Sequence, residues 1–343
     1  MRIVVTGHLG YLGTVLTPML TEAGHAVRGI DAALFRDCAF RPVPTDIETA
    51  RVDIRDIEPG HLADADAVVH LAALSNDPLG DLEPAVTHAI NHHAAVRVAE
   101  CAKAAGVRRV IAASTCSVYG SAGHDWVDET TPPNPVTPYA ESKAAMERDL
   151  LAMRSPTFDI ALPRFATAFG MSPMLRFDLV VNNLTAWAHA TGVVRLKSDG
   201  SAHRPFIHTR DIARSIIAML DAPAISTPIV NIGAPECTTT VSQLAADIAD
   251  ALSGADIPAR VEHAEGSGTD PRSYRVRFDA MRTALPILHI RERIGPAALE
   301  IARALVESPA DTSAFEGPQF SRVAHLRALL ADGKLDSDLR YRA

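Results

Sequence analysis

Ile3-Val4-Val5-Thr6-Gly7-His8-Leu9-Gly10-Tyr11-Leu12-Gly13 stands at the start of the chain and decides its fold. The β-branched run predicts a short buried strand. Gly7, Gly10 and Gly13 follow at three-residue spacing, and Leu12, Leu16, Met19, Leu20 and Ala23 then recur at helical spacing as far as Gly24. Strand, glycine-rich turn and helix in that order begin a βαβ unit. Residues without a β-carbon let the backbone approach a pyrophosphate at the helix N-terminus. The spacing is GxxGxxG rather than GxGxxG, so the motif takes its meaning from its place between strand and helix.

Outward from this turn the rhythm repeats. Residues 27–30 read as a second strand ending in Asp31, twenty-one residues past Gly10. A carboxylate there accepts both ribose hydroxyls and repels a 2′-phosphate, which favours NAD over NADP, although Arg36 nearby softens the preference. Residues 67–73 and 107–113 are further strand candidates, separated by a helical pattern over 83–105 that Gly106 closes. Short apolar strands alternating with amphipathic helices predict an α/β fold, a doubly wound parallel sheet with ligands along its C-terminal edge. Thr131-Pro132-Pro133-Asn134-Pro135 predicts a loop. Beyond Pro163 the rhythm weakens: helices over 175–190, 211–220 and 241–252, strands over 193–196 and 229–233, and a helix over 321–331 in a charged tail.

Composition narrows the function classes. Across 343 residues the charged side chains sum to −8, so no basic field exists for a nucleic-acid backbone. No apolar run approaches the roughly 18 residues that span a bilayer, and the opening strand is too short for a signal-peptide core. Cys38, Cys101, Cys116 and Cys237 show no CxxC spacing, which argues against a disulfide framework or structural zinc and for a reducing cytoplasm.

Tyr139 and Lys143 stand four residues apart at the start of a helix and share one face. A phenol titrates near 10, too high for a base at neutral pH, but an adjacent ammonium and a cationic nicotinamide both favour the phenolate. Thr115 ends the strand before them, where doubly wound folds place ligands, and its hydroxyl can donate to a substrate oxygen. His88 and His92 have metal-compatible spacing but no evident third ligand, so no metal is expected.

Taken together, Thr6-Gly7-x-x-Gly10-Tyr11-Leu12-Gly13, Asp31, Asp53-Ile54, His70-Leu71-Ala72-Ala73, Ser114-Thr115-x-x-Val118-Tyr119-Gly120 and Tyr139-x-x-x-Lys143 resemble the extended short-chain dehydrogenase/reductase family. Within it they are similar to the NAD-dependent epimerase/dehydratase group acting on nucleotide sugars. The resemblance implies a Rossmann domain over 1–168, to which the chain returns at 205–235. A smaller α/β substrate domain would take 169–204 and 236–310, leaving a tail helix in 311–343. It implies a catalytic trio of Thr115, Tyr139 and Lys143, with bound NAD. The cofactor would be contacted by Gly7, Leu9, Gly10, Tyr11, Leu12, Gly13, Asp31, Asp53, Ile54, Leu71, Ala72 and Ala73, besides Tyr139 and Lys143. It further implies Thr115, Asn183, Arg204 and Arg272 as contacts of a nucleotide-diphosphate sugar. A homodimer built from helix 83–105 and the Tyr139 helix is implied as well.

Two departures stand out. Thr167 replaces the family's usual asparagine after Arg164-Phe165-Ala166, and Pro205 stands where an aspartate is common. Dehydratases and decarboxylases of the family place carboxylates just after the strand-end threonine, where this chain has Cys116 and Ser117. The expectation is therefore a 4-epimerase working through a transient 4-keto sugar. A 4,6-dehydratase or decarboxylase is the alternative, and a non-catalytic dinucleotide-binding regulator is the alternative from another class. Cys116 falls one residue out of register with the catalytic cysteine of some family epimerases, so a buried structural thiol is expected there.

Overall fold

The computed structural model describes residues 1–75, 77–121, 125–268, 273–308 and 315–342. Seven parallel strands form the main sheet: β1 (Arg2–Thr6), β2 (Ala26–Asp31), β3 (Glu48–Arg51), β4 (Ala67–His70), β5 (Arg109–Ala112), β6 (Asp159–Phe165) and β7 (Ile229–Ile232). Their spatial order is β7-β6-β5-β4-β1-β2-β3, with the short segment Ser114–Thr115 also pairing with β6. The chain reverses direction across the sheet between β1 and β4, and that switch point opens a crevice at the strand ends. The register there pairs Thr6 with His70, and Thr6 Oγ1 lies 2.7 Å from His70 Nδ1.

The continuous apolar runs follow from burial on both faces. Ile3 and Val5 point into one core with Leu16, Leu20, Ile212 and Ile216, under helices Gly13–Glu22 and Thr209–Asp221. Val4 points to the other core with Val68, Val98, Met146 and Leu150, under helices Ala94–Ala104 and Pro138–Ala152. The helix expected over 83–105 contains a wide π turn, Ala89–His93. Asn91 in that turn is buried; its Oδ1 accepts from Leu74 N at 2.8 Å, and its Nδ2 donates to the Leu74 carbonyl and Ser142 Oγ.

Pro163, where the sequence rhythm weakens, lies inside β6 without disrupting it. It falls opposite Ala113, in the gap between the β5 pairs and the Ser114–Arg164 pair, so no ladder donor is needed from it. Beyond β6, helices Val180–Thr191, Val241–Ser253 and Ile294–Glu307 enclose a separate apolar cluster with strands Val193–Ser198 and Arg260–Gly268. Tyr274, Val276, Phe278, Met281 and Leu285 pack instead into the core under the main sheet. The C-terminal helix Arg322–Ala331 does the same on the opposite face through Leu326 and Leu329. Among the described residues no helix is long and apolar enough to cross a membrane.

Candidate active site

The glycine turn is as tight as its spacing suggests. Gly7 has φ +78°, and a β-carbon on it would lie 2.6 Å from Ala72 N, so only glycine lets the ends of β1 and β4 touch. A β-carbon on Gly13 would lie 2.4 Å from the Gly7 carbonyl oxygen. Asp31 accepts from Leu9 N at 3.1 Å and Ala33 N at 2.8 Å. Burial raises its carboxyl above the usual range, against the pull of the Ala33 N–H, His8 and the Leu9 N–H. Gly29 in β2 also has a reason that the sequence hid: the His8 ring occupies the space its side chain would need. Asp53 caps the turn Ile54–Asp56 through Arg55 N at 2.9 Å and pairs with the Arg55 guanidinium at 2.6 Å. Burial works against ionisation of Asp53, yet these Arg55 contacts hold its carboxyl below the usual range.

The face expected to be catalytic is built by helix Pro138–Ala152. Thr137 caps it, accepting from Ala140 N at 3.3 Å and donating to Asp77 Oδ1 at 2.7 Å, and Pro138 sets the first turn. Gly80 backs the Tyr139 side chain; a β-carbon there would come within 2.9 Å of Tyr139 Cβ. Thr115, at the end of the strand segment paired with β6, accepts from Ser117 N at 3.1 Å and lies near the Tyr139 hydroxyl. Burial pushes the Tyr139 phenol well above its ordinary range, with the neighbouring Thr115 hydroxyl opposing. Lys143 is buried and donates to the Ala113 carbonyl at 2.8 Å. Burial brings its ammonium down to about 8, and the negative charge of Glu147 acts in the other direction. Cys116 is a buried thiol donating to the Arg164 carbonyl at 3.3 Å, and burial pushes it far above the range in which a thiolate forms.

Facing this wall, Arg204 is buried with its guanidinium 5.1 Å from the centre of the Tyr274 ring. Asn183 Nδ2 donates to the Phe177 carbonyl at 2.8 Å, and its side chain lies near Glu316. Arg272 lies outside the described residues. His88 lies 3.9 Å from Glu141, and His92 lies 2.6 Å from Asp149. No group of three potential metal ligands forms among the described residues.

One cleft of about 900 Å³ unites the two walls. Gly7, Gly10, Tyr11, Leu12, Gly13, Asp31, Asp53, Ile54, Leu71, Ala72 and Ala73 line it together with Thr115, Tyr139, Lys143, Asn183 and Arg204. Leu9 is apart from the lining, and its contribution is the backbone N–H that holds Asp31. The lining residues that had not been singled out include Arg176, Lys197, Tyr274, Glu316 and Arg322. Arg176 and Asp178 carry a faint local signal, a pair two residues apart that closes a buried ion pair at 2.8 Å. Glu316 and Arg322 arrive from the C-terminal segment and carry none.

The donor set suits a dinucleotide. The glycine backbone can approach a pyrophosphate, Asp31 offers a carboxylate to a ribose, and Lys143 and Tyr139 line the same cleft.

The family model described as "NAD dependent epimerase/dehydratase family" matches residues 3–233. A UDP-glucose 4-epimerase from Mycolicibacterium smegmatis is 29% identical over 75% of this chain and 85% of its own length. A UDP-glucuronate 4-epimerase from Thermodesulfobacterium geofontis is 25% identical over 70% of this chain and 77% of its own. Among solved structures, MoeE5 in complex with UDP-glucose and NAD superposes with a TM-score of 0.75 at 25% identity, over 90% of this chain and 99% of that one. The NAD-dependent NDP-hexosamine 5,6-dehydratase TunA shares the fold with a TM-score of 0.79 at 21% identity, over 90% of this chain and 99% of that one. With its glycine turn, strand-end threonine and Tyr-Lys helix gathered in one cleft, the chain belongs to the NAD-dependent epimerase/dehydratase family.

Proposed function

We propose that the protein is an isomerase that inverts C4 of a nucleoside diphosphate sugar through a transient 4-keto sugar. The observation that carries this reading is that Thr115, Tyr139 and Lys143 line one cleft, in a wall where the two residues after Thr115 are Cys116 and Ser117. Cys116 is buried and protonated, and Ser117 carries a neutral hydroxyl beside Tyr274. The wall therefore offers one proton-transfer group and no carboxylate at the positions where elimination of water or loss of carbon dioxide would use one. The 4-epimerases among the relatives are consistent with this chemistry.

Bound NAD supplies a hydride acceptor that returns the hydride. The chain's own groups do the rest. Gly7 to Gly13 and Asp31 hold the dinucleotide, and Lys143 and Tyr139 hold its nicotinamide end. Tyr139 takes the proton of the sugar hydroxyl and gives it back after the keto sugar has turned over. Thr115 orients that hydroxyl, and Lys143 favours the phenolate by its charge. Arg204 and Asn183, with Arg272, bind the diphosphate.

The exposed faces of helices Ala94–Ala104 and Pro138–Ala152, including Arg97, Glu141, Arg148 and Ala152, are the surface we assign to a homodimer, testable by light scattering. Four buried free cysteines suit a reducing cytoplasm.

Incubation with a panel of nucleotide sugars, followed by NMR of the products, tests the reaction. A C4 epimer without net NAD reduction is expected; a 4-keto-6-deoxy product or carbon dioxide would replace the epimerase by a dehydratase or decarboxylase. Tyr139→Phe should lower kcat by about 100-fold or more while retaining the dinucleotide. Retained NAD with no hydride exchange on any sugar would make the wild-type protein a regulator.

A further inference from the structure

The C-terminal segment carries into the cleft a charge that the catalytic wall does not require. Phe315 packs against Trp187 with ring centroids 5.3 Å apart, and Phe320 packs against Phe177 at 5.2 Å. This anchoring delivers Ser321 and Arg322 to the cleft wall, at the N-terminus of helix Arg322–Ala331. Arg322 is only 3% exposed. Its Nη2 donates to the Met174 carbonyl at 2.9 Å and its guanidinium lies 5.4 Å from the centre of the Phe35 ring, beside the Cys38 thiol. Nη1 is buried with no hydrogen-bond partner among the described residues.

A second guanidinium stands close by. Arg176 also lines the cleft and is near enough to Arg322 to repel it, and the carboxylate beside them, Asp178, is already taken by Arg176 at 2.8 and 2.9 Å. Two buried guanidiniums against one engaged carboxylate leave a net positive charge, which is costly unless an anion compensates it. A guanidinium fork with a free N–H at a helix N-terminus matches phosphate oxygens best.

Position selects which phosphate. Leu34 and Phe35 follow directly after Asp31, on the glycine-turn side of the cleft. The tail grips that same segment: His325 Nε2 lies 3.0 Å from the Leu34 carbonyl, and the Tyr341 hydroxyl donates to the Ala33 carbonyl at 3.2 Å.

We propose that Arg322 is a phosphate-binding residue for the dinucleotide, supplied by the C-terminal segment and completing the seat that the glycine turn begins. The proposal rests on the cofactor assignment and is independent of which reaction follows.

Isothermal titration of nucleotide-free protein with ADP-ribose, adenosine and UDP tests it. Arg322→Gln should weaken ADP-ribose by about tenfold or more while adenosine and UDP change less than about twofold. Arg322→Lys keeps the charge without the fork and should lose about threefold on ADP-ribose alone; it decides the question if Arg322→Gln does not fold. Unchanged ADP-ribose affinity, or a loss confined to UDP, would overturn the proposal. Failure of the wild-type protein to bind ADP-ribose would overturn the cofactor assignment with it.

Discussion

Glu147 lies one helical turn beyond Lys143 and closes a bidentate ion pair with Arg164, Nε to Oε1 at 2.9 Å and Nη2 to Oε2 at 2.7 Å. Both side chains are almost completely buried. Ser114 Oγ donates to the same carboxylate, and Arg164 Nη1 donates to the Tyr119 hydroxyl at 2.9 Å. That hydroxyl lies 2.8 Å from Asn231 Oδ1. The helix that presents Tyr139 and Lys143 is thereby fastened to β6, to the Thr115 segment and to β7. Its remaining role is electrostatic, since the carboxylate opposes the loss of charge that burial imposes on Lys143.

Removing that carboxylate strands a buried guanidinium. Glu147→Gln should destabilise the fold by about 3–5 kcal/mol, whereas replacing both Glu147 and Arg164 by methionine should cost clearly less. Urea unfolding at pH 7 measures both. Equal losses for the single and double variants would mean that the pair contributes through packing alone.

Acid should weaken the fold through buried histidines. Burial, with the charge of Lys143 adding to it, holds His70 down to about 3. Burial, with Arg210 adding to it, holds His208 down to about 4. Both stay neutral in the folded chain while the unfolded chain takes up protons below about 6.5, so stability falls as pH falls from 6.5 towards these values. His70 alone contributes about 3 kcal/mol of that loss by pH 4. Urea midpoints at pH 6.5, 5 and 4 should drop steadily in the wild-type protein and less steeply in His70→Asn, which can keep the bond to Thr6. Parallel slopes would show that His70 does not titrate in this way.

The parts of the fold legible in the sequence were those written in local pattern. Ile3 to Val5, the glycines behind them and the Tyr139–Lys143 spacing each encode their structure within a few residues. Pro163 misled because its tolerance depends on a gap in the neighbouring strand at Ala113, which only the register reveals. Arg322 and Glu316 were invisible for a similar reason. Nothing near them in sequence marks a cleft, and they reach it because Phe315 and Phe320 find Trp187 and Phe177 more than a hundred residues earlier. The tail looked like a charged appendage, yet its apolar residues fill the core under the main sheet.

Glu316 sets the last expectation, because it occupies ground that an anionic substrate would need. Its carboxylate accepts from Lys197 Nζ at 2.6 Å, with Asn183 and Trp187 nearby, and it lines the same cleft as Arg204. Burial works against its ionisation, but the Lys197 contact holds its carboxyl below the usual range, so it is charged at pH 7. A nucleoside diphosphate bound beside Asn183, as proposed, would meet a fixed negative charge and compete with it for Lys197. Glu316→Gln removes the repulsion and frees the ammonium, and affinity for UDP should rise by roughly two- to fivefold at low salt, in keeping with the modest energies of exposed pairs. Lys197→Met should lower it by a similar factor. Both effects should shrink at 0.5 M salt, because Lys197 is 62% and Glu316 47% exposed and solvent ions screen them. Titration of UDP at the two salt concentrations reads this directly, and an affinity indifferent to Glu316→Gln at low salt would place the diphosphate elsewhere in the cleft.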